Sequence, residues 1–257
     1  MARIVKSAVR VLAVLELFDK LQRVLSVAEV ARELGYPISS TSMLLGNLLE
    51  HGYLRHGPDQ RTYFPTSKVT LLGAWVEPLL TPRAEILRMM EDLGEATGET
   101  IILGSPIHDQ VQYLHVVPAT AAVRMPVGPG TLRPLVASGL GRVLLATMDE
   151  DRVRHLVMRH NDGPLAPEDR ISFAELMREL SCIRTCGYAT VPRGAAPDAE
   201  RVSMLLPTKI NGLPLAVGIG GGAPEIWGSQ REYVTLMRNA IDCHLRPPLA
   251  GSARANP

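Results

Sequence analysis

The spacing of apolar residues in the first part of the chain predicts three helices. Apolar positions in residues 4–18 follow a three-and-four spacing, which is typical of an amphipathic helix. Ser26 begins a capping box in front of a second helix, Val27–Leu34, and Gly35 suits the left-handed conformation that ends it. A tight turn at Pro37 and a third helix at 38–51 follow. This order of helix, short turn and helix indicates a helix-turn-helix.

A short hairpin and a boundary marked by prolines follow the third helix. Residues 53–55 and 61–64 read as two strands around a turn at 57–60, and this hairpin is interpreted as a wing. Residues 67–76 predict one more helix before Pro78 and Pro82. The predicted divisions are a winged helix-turn-helix domain at 1–66, a linker helix at 67–81, a second domain at 82–248 and a frayed tail at 249–257.

Short β-rich runs and capped helices alternate beyond residue 82. The Asn211-Gly212 turn between two apolar runs predicts a hairpin. Strands near both ends with helices between them favour one antiparallel sheet with helices packed on it, so the predicted fold class is α+β. The predicted strands are 100–103, 111–117, 122–127, 202–210 and 213–219, and the predicted helices are 82–96, 139–147, 149–159, 167–185 and 230–245.

Composition favours a globular chain that carries no metal or cofactor. The longest apolar runs are far too short to span a bilayer, and no secretory signal follows the first residues, so we expect a cytoplasmic protein without membrane contact. Cys182 and Cys186 have no histidine or acidic partner at metal-binding spacing and are interpreted as small hydrophobic residues. His155 and His160 are five residues apart, which places them on different faces of a helix.

The outer face of the third helix is unusually small and polar. The residues that share the face we expect to be buried are Thr41, Leu44, Leu45 and Leu48. The opposite face consists of Ser39, Ser40, Ser42, Met43, Gly46 and Asn47. Serines are mediocre helix formers and a glycine costs about 1 kcal/mol relative to alanine, so stability does not explain this face. Close approach to a DNA major groove is one explanation, because Asn47 can pair with adenine and Met43 can contact a thymine methyl. The alternative is a solvated helix face in a winged-helix module that binds proteins.

Charge alone does not point to DNA. The net charge is +1, and residues 1–77 hold nine Lys and Arg against seven acidic residues. No Lys or Arg lies between Arg32 and Arg55, so phosphate contacts must come from the first helix and the wing, and tight binding requires a dimer. The predicted DNA-contacting residues are Lys6, Pro37, Ser39, Ser40, Thr41, Ser42, Met43, Gly46, Asn47, Arg55 and Arg61.

Four parts of the chain carry recognisable motifs: the first part at 8–12, 27–35, Pro37, Ser40, 44–45, Leu48 and 52–54, and three later segments at 91–100, 138–146 and 187–189. Together these motifs resemble the isocitrate lyase regulator (IclR) family of bacterial transcription regulators. Each motif is weak alone, but they occur in the family's order over nearly the whole chain. The resemblance implies a GAF-like effector domain, homodimers formed through the winged domains and often paired into tetramers, and a small carboxylate or aromatic ligand.

The resemblance also implies the position of the ligand pocket. Its residues would be Ala122, Met125, Gly139, Leu140, Ser203, Gly218 and Gly220. The chain departs from the family where hydroxyl residues are replaced by Gly218 and Gly220, and where Arg193 falls near the family's acidic residue. These departures favour a bulkier, partly aromatic acid whose carboxylate pairs with Arg193, although an exposed loop arginine is the alternative.

The function predicted from the sequence is a transcription regulator, more often a repressor than an activator, whose operator affinity responds to a small organic acid. One alternative is a winged-helix module that binds proteins and no DNA. A second is a hydrolase or transferase, which the chain favours less because the glycine run at 218–222 lacks a following helix and a Gly-Lys-Ser/Thr motif. An enzyme would also have no use for the first 75 residues.

Overall fold

The chain divides into two compact units, each with its own core. The computed structural model describes residues 5–74, 82–120, 127–166, 169–190, 200–220 and 230–245. The units are Met1–Leu79 and Leu80–Pro257. Among the described residues no helix is long and apolar enough to cross a membrane, and no group of three or more potential metal ligands comes together.

Among its described residues, the first unit has four helices and a small antiparallel sheet of three strands in the order β1-β3-β2. Its elements are α1 (Lys6–Leu21), β1 (Leu25–Ser26), α2 (Val27–Leu34), α3 (Ile38–Glu50), β2 (Leu54–His56), β3 (Thr62–Pro65) and α4 (Ser67–Gly73). The predicted helix-turn-helix and wing are therefore both present. The two-residue strand β1 was not predicted, because two residues carry no periodicity.

Local hydrogen bonds explain where α2 begins and ends. The Ser26 backbone N–H donates to Glu29 Oε2 at 2.8 Å, and the Glu29 N–H donates back to Ser26 Oγ at 3.3 Å. Gly35 ends the helix in the left-handed conformation with φ 65°. The predicted capping box and helix bounds are confirmed. The core beneath consists of Val14, Leu17, Phe18, Leu25, Val30, Leu45, Leu48 and Leu54.

The second unit is built on an antiparallel sheet of six strands in the order β6-β5-β4-β9-β8-β7. Its elements are α5 (Ala84–Thr97), β4 (Thr100–Ile107), β5 (Gln110–Val117), β6 (Leu132–Pro134), α6 (Gly139–Leu145), α7 (Glu150–Asn161), α8 (Phe173–Cys186), β7 (Tyr188–Thr190), β8 (Glu200–Ile210), β9 (Leu213–Gly220) and α9 (Gln230–Leu245). The mixed fold of helices on an antiparallel sheet confirms the predicted fold class.

Both faces of this sheet are covered by helices. On β4, Ile101 and Leu103 pack with residues of α5 and α9, whereas Ile102 packs on the other face with residues of α6, α7 and α8. The alternation follows from the two-residue period of a strand. Two separate cores result, one on each side of the sheet.

Several element bounds differ from the sequence predictions. The predicted helix at 167–185 begins only at Phe173, because the Ser172 hydroxyl accepts the Glu175 N–H and caps it there. The edge strands β6 and β7 were not predicted, since each has only three residues. The Asn211-Gly212 turn is confirmed, with φ of 48° and 78° at its two residues. Residues 122–126 of a predicted strand lie outside the described residues, as does the end of the predicted linker helix.

Candidate nucleic-acid interface and ligand site

Helix α3 presents the predicted polar face to solvent. Ser39, Ser42 and Asn47 are exposed, and Met43 has a side chain that is 69% exposed. Ser40 and Gly46 are partly covered. On the opposite side, Leu45 and Leu48 lie in the core of the first unit. The face therefore has a flat surface of hydroxyl, thioether and carboxamide groups without a bulky charged side chain.

The hydroxyls of α3 divide into two kinds. Ser40 Oγ and Thr41 Oγ1 each donate to the carbonyl oxygen of Pro37 at 3.0 Å, whereas Ser39 and Ser42 point outward from exposed positions. Thr41 is only 1% exposed. Thr41 therefore lies on the buried face, as its spacing predicts, and its inclusion among the DNA-contacting residues is corrected, because its side chain is covered and its hydroxyl is used within the helix.

Ile38 is an exposed residue of α3 that the sequence prediction missed. It lies in the first turn of the helix, directly after Pro37, and is 63% exposed. A single exposed apolar side chain is common on protein surfaces. Ile38 falls on the three-and-four spacing of Thr41 and Leu45, so the pattern alone places it on the buried face, and only the structure shows its exposure.

The cationic side chains around α3 lie on α1, on the wing and behind it. Lys6 and Arg61 are exposed. Arg10 lies with its guanidinium carbon 4.9 Å from the centre of the Tyr36 ring, and Arg55 lies 5.3 Å from that of Phe64. Lys68 Nζ donates to the carbonyl oxygen of His51 at 2.8 Å. Aromatic rings and backbone carbonyls thus hold most of these charges in place.

The turn of the wing is fixed by one carboxylate. Asp59 Oδ1 accepts from Thr62 Oγ1 at 2.6 Å, from the Thr62 N–H at 3.0 Å and from the Arg61 N–H at 3.1 Å. These hydrogen bonds, that of the Thr62 hydroxyl first, lower the pKa of Asp59 below its usual value of 3.8. Gly57 is required beside this turn, because a Cβ there would lie 2.2 Å from Thr62 Oγ1. The wing therefore presents Arg61 from a rigid loop.

Several of the predicted ligand-binding residues lie on one face of the large sheet. Ser203 on β8 pairs with Gly218 on β9 and with Ala189 on β7, and Gly220 pairs with Thr100. Ser203 is fully buried, and its hydroxyl has no hydrogen-bond partner among the residues that the structure describes. A buried hydroxyl without a partner costs free energy, so this position is expected to meet a polar group when the site is filled.

The short helix α6 covers this part of the sheet. Gly139 and Leu140 form its first turn and are buried, and α6 packs on β8 and β9. Ser138 caps the helix by accepting the Gly141 N–H at 3.0 Å. A Cβ on Gly141 would lie 2.0 Å from the Leu135 carbonyl oxygen, so only glycine allows this close approach. Ala122, Met125 and Arg193, the other predicted pocket residues, lie outside the described residues.

An ion pair that the sequence prediction missed ties α6 to α8. Arg142 Nη1 donates to Glu179 Oε1 at 2.6 Å, and the Arg142 side chain is only 14% exposed. The two residues are 37 positions apart on different helices, so no local pattern could reveal the contact. The pair therefore ties α6, which covers the candidate ligand site, to α8.

Comparison with known proteins places both units in one family. The family model described as IclR helix-turn-helix domain matches residues 7–58, and the model described as Bacterial transcriptional regulator IclR C-terminal matches residues 82–238. The chain is 26% identical over 186 residues to the HTH-type transcriptional regulator XynR of Escherichia coli K12, covering 72% of this chain and 74% of XynR. It is 25% identical over 188 residues to the Transcriptional repressor IclR of the same organism, covering 72% and 68%.

Solved structures show the same fold. The Thermotoga maritima IclR matches with a TM-score of 0.70 at 22% identity, covering 95% of this chain and 100% of that one. An IclR homologue from Microbacterium hydrocarbonoxydans, crystallised with 4-hydroxybenzoate, matches with a TM-score of 0.67 at 22% identity, covering 93% and 99%. The related proteins are transcription regulators, so the enzyme alternative is set aside. With a helix-turn-helix in the first unit, a helix-covered sheet in the second and both matched by the family's own models, this chain belongs to the IclR family of DNA-binding transcription regulators.

Proposed function

We propose that this regulator is a repressor that reads an operator with α3 and responds to a small organic acid bound in its second unit. The observation that carries the proposal is the exposed, small and non-ionisable face of α3 beside a rigid wing. Such a face allows a helix to lie deep in the major groove. Within the proposal, residues 1–66 form the DNA-binding domain, 67–81 the linker helix, 82–248 the effector domain and 249–257 a tail.

Phosphate contacts are assigned to residues around α3. Lys6 on α1 and Arg55 and Arg61 on the wing supply positive charge, with Arg10 and Lys68 beside them. Pro37, Ser39, Ser40 and Ser42 lie at the start of α3, where side-chain hydroxyls and backbone groups meet phosphates in helix-turn-helix complexes. With few cations for each domain, a single copy binds weakly and two copies on one operator bind tightly.

Exposed apolar residues on α1 and α4 support assembly of a homodimer. Val5, Val9 and Leu12 are exposed at a spacing of three and four residues, and Leu71 and Leu72 are exposed on α4. Between the two helices lies a groove of about 480 Å³, whose lining includes Leu15, Phe18, Phe64 and Val69. We assign a second copy of this chain to this surface, since two recognition helices are needed for two half-sites. A dimer of dimers is the larger assembly included in the proposal.

The effector is assigned to the buried face around Ser203. Its unpartnered hydroxyl lies opposite the small residue Gly218 on the face of the sheet that α6 covers. The homologue crystallised with 4-hydroxybenzoate supports an aromatic carboxylate as the first ligand to test. Arg193 is the proposed partner of its carboxylate, and Ala122 and Met125 are proposed to line the same pocket.

Repression is the proposed direction of regulation. It is supported by the relative named Transcriptional repressor IclR. Binding of the acid is proposed to change the spacing of the two recognition helices through the linker helix, for which a coupling of about 1–3 kcal/mol is enough. A regulator of this kind works where the chromosome is, so the proposed location is the cytoplasm.

The experiment is a gel shift of the full-length protein on the region upstream of its own gene, with and without 4-hydroxybenzoate and acetate. We expect retention that weakens steeply as salt rises and that changes with the aromatic acid more than with acetate. Asn47→Ala is expected to weaken retention, whereas Met158→Ala, an exposed methionine on α7, is the matched control. A protein that retains no duplex at low ionic strength would instead support the protein-binding alternative.

A further inference from the structure

The outward groups of α3 form a chemically restricted set. Residues 39–47 contain no ionisable side chain, and two of their hydroxyls are already bonded to Pro37. The exposed groups that remain are the hydroxyls of Ser39 and Ser42, the thioether of Met43 and the carboxamide of Asn47. Ile38 adds an exposed apolar side chain in the first turn.

Each base pair requires a different partner in the major groove. Guanine is read by the paired donors of arginine or lysine, and cytosine is read by a carboxylate that accepts from its amino group. Adenine is read by the carboxamide of asparagine or glutamine, and thymine by apolar contact with its methyl group. The exposed face of α3 between Ser39 and Asn47 therefore holds the readers specific to adenine and thymine but no charged reader for guanine or cytosine, whereas its serine hydroxyls can bond to either kind of base.

The spacing of Met43 and Asn47 lets both side chains face the same stretch of a groove. Met43 and Asn47 are four residues apart, so they lie on one side of the helix about 6 Å apart along its axis. Both side chains are exposed. Gly46 lies between them in the sequence, and a Cβ added at this position would have no heavy atom within 4 Å. This leaves space for a base edge to approach the backbone.

We infer that α3 selects A·T base pairs, with Asn47 pairing with adenine and Met43 covering a thymine methyl group. This inference rests on the proposed function and names the class of operator that it would bind. Glu50, at the end of α3, carries the nearest carboxylate, but it lies one turn beyond the thymine and adenine readers. Glu50 is therefore assigned no part in base selection, and Glu50→Gln becomes a control.

The test is selection from a pool of DNA duplexes with a randomised core, using the full-length protein at low ionic strength. We expect the selected half-sites to have A·T pairs at defined positions. Asn47→Ala and Met43→Ala are expected to relax the selection at those positions. Replacing thymine by uracil in the selected duplex removes only methyl groups and is expected to weaken binding by about four-fold for each buried methyl. Met43→Ala is expected to lose this sensitivity at one position, whereas Glu50→Gln and Met158→Ala keep it.

The outcomes separate this inference from the function on which it rests. Enrichment of G·C pairs at the positions governed by Met43 and Asn47 would overturn the inference, as would uracil substitution without effect. Binding without enrichment of any sequence would also overturn it while leaving DNA binding intact. A protein that retains no duplex at all would remove the proposed function itself. Circular dichroism of the variants checks that these surface substitutions leave the fold unchanged.

Discussion

Among single residues, Glu29 shows how one carboxylate can fix the start of a helix. It accepts from the Ser26 backbone at 2.8 Å and is paired with Arg23 Nη1 at 2.8 Å. The backbone hydrogen bond from Ser26 and then the hydrogen bond from Arg23 lower the pKa of Glu29 from 4.5 to about 2. The ionised form is therefore the one that stabilises α2, on which α3 packs.

This shift predicts a pH-dependent contribution to stability. Because the folded pKa of Glu29 is lowered, its contribution is present above about pH 4.5 and is lost as the pH falls toward 2. Glu29→Gln is expected to lower the urea midpoint at pH 6, and its difference from the wild type is expected to narrow at pH 3. Glu16→Gln, an exposed residue of α1, is the control. A difference that stays constant over this pH range would contradict the assignment.

Gly46 offers a second residue at which stability and function should separate. Alanine is favoured over glycine in a helix by about 1 kcal/mol, and nothing lies within 4 Å of the added Cβ. We expect Gly46→Ala to raise the free energy of unfolding by about 0.5–1 kcal/mol while weakening DNA binding. Urea unfolding and a gel shift measure the two effects. If the variant gains stability and binds DNA as tightly as before, α3 does not approach a groove closely at this position.

At the scale of elements, an ion pair reinforces the apolar packing between α6 and α8. Removing Glu179 would leave the largely covered Arg142 guanidinium without its carboxylate. We expect Glu179→Gln to lower the free energy of unfolding by about 1–3 kcal/mol. In contrast, Glu150→Gln breaks the exposed pair with Arg154 and is expected to cost less than about 0.5 kcal/mol. Equal effects of the two substitutions in urea unfolding would show that the α6–α8 pair has no special role.

The elements that the sequence could predict are those with a local signal. The capping box at Ser26, the left-handed Gly35 and the Asn211-Gly212 turn each depend on residues within one turn of one another, and each is found where it was predicted. The strands β6 and β7 are held by pairing with distant strands, so their three-residue segments carry no pattern. The contact between Arg142 and Glu179 could not be predicted for the same reason, because the two residues are far apart in the sequence.

Within the candidate site, the sequence could predict faces but not individual hydrogen bonds. The period of α3 separated its outer residues from Leu45 and Leu48 correctly. It could not show that Thr41 would use its hydroxyl on Pro37, because serine and threonine bond either to their own helix or to an external group. Ile38 was missed because its burial depends on whether another surface covers the start of the helix.

At the scale of the whole molecule, the proposed homodimer can be tested at the exposed apolar surface of α1. A charged side chain on the apolar surface of α1 should prevent its burial against a second copy. We expect Leu12→Glu to raise the dimer dissociation constant at least ten-fold in sedimentation velocity runs and to weaken operator binding as well. Met158→Glu places the same charge on an exposed methionine of the second unit and should change neither. An unchanged dissociation constant for Leu12→Glu would move the interface elsewhere.

The absence of ionisable groups on the outer side of α3 between Ser39 and Asn47 has a consequence for how the cell's ionic conditions act on the regulator. Counterions are displaced from DNA by lysine and arginine side chains, and those assigned to phosphate contacts lie mainly on α1 and the wing. Added salt should therefore weaken binding to every duplex by the same factor. The preference between two competing duplexes should then stay constant while both affinities fall. Osmotic stress would change how much of the genome is occupied, but not which promoters are chosen.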